Sequence, residues 1–187
     1  MSVPTHVSIA SSIQRVDQSA SWRIALFAFV VSGTLWLGGS YIRAIIGNDL
    51  LKFGTLEFVE YISPDAEAEI YRLLSFASLV GIACYTVAFV SGLAFLATCP
   101  FKFNEHGWLM ISTILFLLFV PVEVYTMYLD GKMIYDEFFT TADNQVFREL
   151  FVARLGALAG APIIANLSYL TIIGLAVFQP LRKHFDQ

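Results

Sequence analysis

Charge is scarce in this chain. Asp, Glu, Lys and Arg make up only 14% of its 187 residues, where an ordinary soluble domain carries roughly a quarter. Histidine occurs three times and cysteine twice. Cys84 and Cys99 stand 15 positions apart, roughly 22 Å along a helix, which excludes a disulfide between them within one helix and leaves them as small packing residues. No histidine falls inside an apolar stretch: His6 is in the N-terminal segment, and His106 and His184 flank apolar runs. His106 and His184 could approach each other, but with no second pair a buried bis-histidine haem is excluded, and no cofactor is expected. Zinc-spaced Cys/His clusters, HExxH and glycine-rich phosphate loops and the GxSxG nucleophile turn are all missing. The net charge of −4, without a basic stripe, argues against a nucleic-acid partner.

What is present is apolar length. Hydrophobic residues reach 57%, and four runs are long enough to cross a bilayer as helices: Trp22–Ile46, Leu73–Thr98, Trp108–Leu129 and Val152–Phe178. The expected architecture is an all-α integral membrane protein with four transmembrane helices in an antiparallel bundle. Residues 1–21 form a polar N-terminal tail, 22–178 the transmembrane domain and 179–187 a short C-terminal tail. The N-terminal segment is too polar for a cleaved signal peptide, so the first run is read as a retained span.

Two short interfacial helices are expected between the spans. Asp49–Ile62 (DLLKFGTLEFVEYI) places Leu51, Phe58, Val59 and Ile62 at helical spacing, as in a helix lying on a membrane surface. Ser63 then reads as an N-cap with Pro64 at the first helical position and acids behind it. In the second connection, Asp130–Gly131 is expected to stop the third helix and Met133–Phe139 to lie in the interface. A new cap is expected near Thr141. Ile70–Leu74 and Val146–Leu150 resemble each other, with Arg72 matched to Arg148, a similarity that chance between amphipathic stretches accounts for.

Lysine and arginine barely distinguish the two sides. Five (Arg15, Arg23, Lys102, Arg182, Lys183) accompany the termini and six (Arg43, Lys52, Arg72, Lys132, Arg148, Arg154) the longer connections. The five sit in shorter segments, which by the positive-inside rule puts both termini in the cytoplasm, most naturally of a cell (inner) membrane. Small residues cluster in the spans, Gly156 and Gly160 in a GxxxG arrangement among them, and such faces let helices approach closely in lipid. The expected partners are the lipid bilayer and either other membrane subunits or further copies of the chain.

Leu35–Arg43 (LWLGGSYIR) and Leu175–Lys183 (LAVFQPLRK) are similar to segments of small bacterial four-helix membrane families related to copper-resistance proteins. Those families depend on membrane histidines, which this chain lacks, so the likeness implies no copper site here.

One carboxylate stands out. Glu123 lies in FLLFVPVEVYTMY (Phe116–Tyr128), two residues after Pro121, and an intramembrane acid is a functional candidate by default. Depth along the helices places Arg154, Arg43 and Arg72 near its level, with Tyr125 and Tyr128 supplying hydroxyls. The simplest expectation is an ion pair between Glu123 and Arg154 that fastens two helices. The sharper one is a polar site open toward the longer connections. The leading functional expectation is a non-catalytic accessory or structural subunit of a membrane assembly, because few polar residues line the spans and only Asn166 lies near a midplane. The alternative is a small oligomeric transporter or channel with Glu123 and Arg154 as its proton or cation site. An enzyme is least supported, since no pair of catalytic groups faces one aqueous side.

Overall fold

The computed structural model describes residues 6–140 and 144–181. Among them the order is α1 (His6–Asn48), α2 (Pro64–Thr98), α3 (Gly107–Phe139), α4 (Asn144–Leu155), a 3₁₀ turn (Ala157–Gly160) and α5 (Ala161–Phe178). Four of these, α1 from Ala20, α2, α3 and α5, are long and apolar enough to cross a membrane. Only 11–28% of the residues in their most apolar windows are buried, so most of the apolar surface faces outward, as lipid contact requires.

The helix ends mostly obey local chemistry. Ser63 accepts a hydrogen bond from the Ala66 N–H and Pro64 opens α2 as expected, with Asp65 and Glu67 in the first turn. α1 begins earlier than expected: the polar segment from His6 onward is already helical, and Ile9, Ile13 and Val16 recur there at helical spacing.

Three expectations fail for identifiable reasons. Asp49–Ile62 forms no helix. Gly54 adopts a left-handed φ of 75°, a conformation glycine reaches without steric cost. The turn it makes returns Lys52 N–H to Glu57 O (2.8 Å) and Val59 N–H to Leu50 O (3.0 Å). Leu50 and Phe58 then join Tyr71, Leu74, Met133, Phe147 and Phe151 in a core at this end of the molecule. Exposed Glu60 and Glu57 flank Lys52 at 3.2 and 3.4 Å and hold its ammonium pKa above the ordinary value.

Asp130–Gly131 does not stop α3, which continues through Met133–Phe139 to Phe139, so no separate interfacial helix forms there. The Asp130 carboxylate is engaged by arginines from two other helices instead of competing for local backbone, and Gly131 is helical with open space where a Cβ would stand. Because alanine is about 1 kcal/mol better than glycine in a helix interior, Gly131→Ala is expected to raise the melting temperature in detergent. A lowered melting temperature would mean that Gly131 needs a non-helical backbone. Pro121 also lies within α3. It supplies no N–H to the Leu117 carbonyl one turn back.

The fourth expected span, Val152–Phe178, is not one helix. α4 ends at Leu155, and Gly160 takes φ 85° immediately before α5. Gly156 therefore precedes the 3₁₀ turn and Gly160 ends it, and the two do not share a helical face. Among the described residues α4 is the one short α-helix between spans, and it was not foreseen as a separate element. The expected cap at Thr141 lies outside the described residues.

A second core holds the middle of the molecule: Trp36, Leu37, Tyr85, Phe116, Ala165 and Tyr169, from α1, α2, α3 and α5. Trp22 meets Phe95 and Phe101, and Gly107 N–H reaches Leu181 O at 3.4 Å, which gathers the start of the α1 span, the end of α2, the start of α3 and the end of α5 at one end.

Candidate functional site

On α3, Glu123, Thr126 and Asp130 are spaced i, i+3, i+7, which places them on one face about two turns long. All three are buried. Asp130 is the centre of the polar cluster. Arg43, near the end of α1, grips it with both terminal nitrogens, Nη1 to Oδ2 at 2.7 Å and Nη2 to Oδ1 at 2.6 Å. Arg154, in the last turn of α4, donates Nε to Oδ1 at 2.6 Å. One carboxylate thus ties together α1, α3 and α4 with charge-assisted bonds, one of them bidentate.

Glu123 is not paired with Arg154. Its side chain, in a residue 6% exposed, makes no hydrogen bond or ion pair with any described residue, and the Nε of Arg154 goes to Asp130 instead. Arg43 and Arg154 do line cavities together with it. One, of about 30 Å³, is walled by Ser40, Arg43, Glu123, Thr126, Asp130 and Arg154. A second, of about 140 Å³, is shared by Glu123, Arg43, Arg154, Ser40 and Asn166, with Phe151 and Pro162 among its apolar walls. A water needs only about 10–15 Å³ of such space, so both are roomy enough for water beside the carboxylate.

Of the residues singled out in the sequence, Glu123, Arg43 and Arg154 therefore meet, while Arg72 and Tyr125 do not. Tyr125 lies about 200° around α3 from Glu123 and is 42% exposed. Tyr128 is also exposed and stacks under Lys132 at 4.6 Å. Arg72 sits on the outer face of α2, 3.6 Å from Glu69. Nor does it mirror Arg148, whose Nε and Nη2 each lie 2.6 Å from the carboxylate of buried Glu67, to which Tyr71 also donates. That carboxylate holds the Arg148 guanidinium pKa above its ordinary value. The Glu67 pair links α2 to α4 at the same end as Asp130.

Asp130 is the residue that sequence reasoning missed. Its signal was the seven-residue spacing from Glu123, concealed by the reading of Asp–Gly as a helix stop. Toward the start of α3, near Phe116, the Tyr85 and Tyr169 hydroxyls lie 3.2 Å apart, and the Trp36 ring packs on both, with centroids 5.1 and 4.7 Å away. Beyond them the next cavity, about 100 Å³, is walled mainly by apolar groups such as Phe29, Leu37, Phe116 and Ile172. No group of three or more His, Cys, Asp or Glu is placed to hold a metal among the described residues. His184, and with it any approach to His106, lies outside the described residues.

Comparison with known protein families, curated proteins and solved structures finds no match for this chain.

Proposed function

We propose that this chain is a non-catalytic multi-pass protein that takes up a proton at Glu123 and works as a subunit of a membrane assembly. The observation that carries the proposal is the unpaired state of Glu123 beside two arginines whose ion pairs go to Asp130 instead. A carboxylate taken from water without a partner is costly to keep charged, and the adjoining cavities give water a place beside it. The two guanidinium groups that line the same cavity repel any added positive charge, but a proton adds one elementary charge where a divalent metal ion adds two, so the proton is opposed less. Assembly follows from what surrounds the site. Past Trp36 and the two tyrosines the interior turns apolar, so the described residues line no polar route from one end to the other. A proton taken up at Glu123 must be passed on by a partner, a second copy or a conformational change.

The arrangement we propose is an antiparallel four-helix bundle in the cell membrane with both termini in the cytoplasm. It is supported by contact order, since Trp22 meets Phe95 while Trp36 meets Tyr85. It is supported too by the gathering of alternate helix ends at each end of the molecule. With Cys84 and Cys99 replaced, an impermeant external thiol reagent is expected to label Phe53→Cys and to spare Phe103→Cys. The opposite pattern would invert the orientation, and labelling of both would contradict four spans. The subunit claim is tested by purification from the native membrane in mild detergent. It expects a stoichiometric partner or a defined homo-oligomer, and a purely monomeric chain would refute it.

A further inference from the structure

The cavity of about 140 Å³ beside Glu123 has room for more than a single water. Its polar wall is rich in donors that no described residue accepts from. Arg154 spends Nε on Asp130 and has no acceptor for its terminal nitrogens among the described residues. The Nε of Arg43 is buried with no partner. The Asn166 carboxamide and the Ser40 hydroxyl make no hydrogen bond to a described residue either, and all four side chains line this cavity. Arg43 Nε, fully buried without a partner, carries a desolvation cost that an acceptor would remove, while Ser40, Arg154 and Asn166 are partly buried and leave their donors available to an acceptor. The lining also includes the apolar Phe151, Leu155, Pro162 and Ile163. Donors and hydrocarbon together in one lining describe a site for an anion bearing a small apolar body. An engineered cavity of about 150 Å³ admits benzene, so a body of about six heavy atoms fits this one.

The charges set the valence. Arg43, Arg154, Asp130 and an ionised Glu123 sum to zero, and protonation of Glu123 leaves one positive charge. We infer that the cavity binds a monoanion of the carboxylate or phosphate class together with one proton on Glu123. The inference rests on the reading of Glu123 as a proton acceptor and extends it. The groups facing Glu123 are Arg43 from α1, Tyr85 from α2, Asp130 from α3, Arg154 from α4 and Tyr169 from α5. None of the others need change protonation for the count to hold. Anion and proton then bind cooperatively, each strengthening the other by the same factor.

The test uses the full chain in nanodiscs of phosphatidylcholine, with butyrate and inorganic phosphate as probes. Calorimetry in two buffers of different ionisation enthalpy counts the protons taken up with each anion. At a pH where Glu123 is ionised, binding is expected to take up one proton per anion, and affinity is expected to fall about tenfold per pH unit above that point. In Glu123→Gln, butyrate is expected to bind without proton uptake or pH slope, and Asn166→Ala should bind about tenfold more weakly. Melting curves confirm that each variant is folded. Adding phosphatidylglycerol to the discs separates the two sources of the anion. If it displaces butyrate, the natural ligand is a lipid headgroup, and if butyrate binds unaffected, the ligand is a free anion. Failure of butyrate and phosphate to bind, with no effect of phosphatidylglycerol, overturns the inference, as does binding with no proton uptake. If Glu123 titrates but no anion binds, only this inference falls. If Glu123 does not titrate at all, the proton-site reading falls with it.

Discussion

Asp130→Asn is expected to be among the most destabilising single substitutions of the polar cluster. The change leaves the Arg43 guanidinium, in a residue 7% exposed, without the one anionic partner it has among the described residues, and takes from Arg154 the acceptor of its Nε as well. Removing one member of a buried ion pair costs about 3–5 kcal/mol, because the charge left behind is not solvated. For a chain of this size, 1 kcal/mol moves the melting temperature by about 2–4 °C. A fall of roughly 10 °C in detergent is therefore the expected result. Arg154→Ala should cost less than Arg43→Ala, since the Arg154 side chain is 23% exposed against 8% for Arg43 and Asp130 keeps its bidentate partner when Arg154 is lost. Glu60→Gln is the control. The Glu60 side chain is 89% exposed, and an exposed ion pair contributes about 0–1 kcal/mol. Asp130→Asn melting as high as this control would show that the cluster does not hold the helices.

Glu123→Gln is expected to separate stability from activity. If Glu123 were ionised and paired with Arg154, the substitution would cost about 3–5 kcal/mol, and Arg154→Ala on top of it would recover part of the loss. With Arg154 held by Asp130 instead, glutamine keeps the volume of the side chain and its hydrogen-bonding capacity. The expected change in stability is no more than about 1 kcal/mol, the usual worth of one neutral hydrogen bond. Proton uptake by the purified protein should nevertheless fall by one per chain, and any proton-coupled activity of the native assembly should vanish. A large loss of stability in Glu123→Gln would return Glu123 to a structural role.

What the sequence made legible was decided by local chemistry and by length. The apolar runs specify four helices long enough to cross a membrane, since no short-range signal competes with some twenty residues of hydrocarbon. The start of α2 was written in Ser63 and Pro64, because an N-cap is a contact between near neighbours. Glu123 was conspicuous for the same kind of reason, as a lone carboxylate among apolar residues. Its partner was not legible. Depth along two helices brought Arg154 to the right level, but the acceptor that takes its Nε is Asp130, 24 residues away in sequence, while Arg43 reaches the same acceptor from 87 residues away. Charge competition between groups so distant is settled only by packing. The helical spacing of Leu51, Phe58, Val59 and Ile62 misled in another way. Gly54 offered a left-handed turn, and burial of Leu50 and Phe58 against Tyr71 and Phe151 outweighed amphipathic periodicity. Gly160 acted similarly in the last span, where a glycine read as a packing surface serves instead as a left-handed junction.

The central claim is that Glu123 carries an exchangeable proton of its own. Infrared difference spectroscopy of the membrane-reconstituted protein, titrated between about pH 5 and 9, reads protonated carboxyl groups directly, and buried carboxyls are the ones whose protonation persists into that range. The account predicts one carboxyl band that grows as pH falls and is missing from Glu123→Gln, with Asp130 contributing none while both arginines hold it. A spectrum that Glu123→Gln leaves unchanged across the whole titration would contradict it.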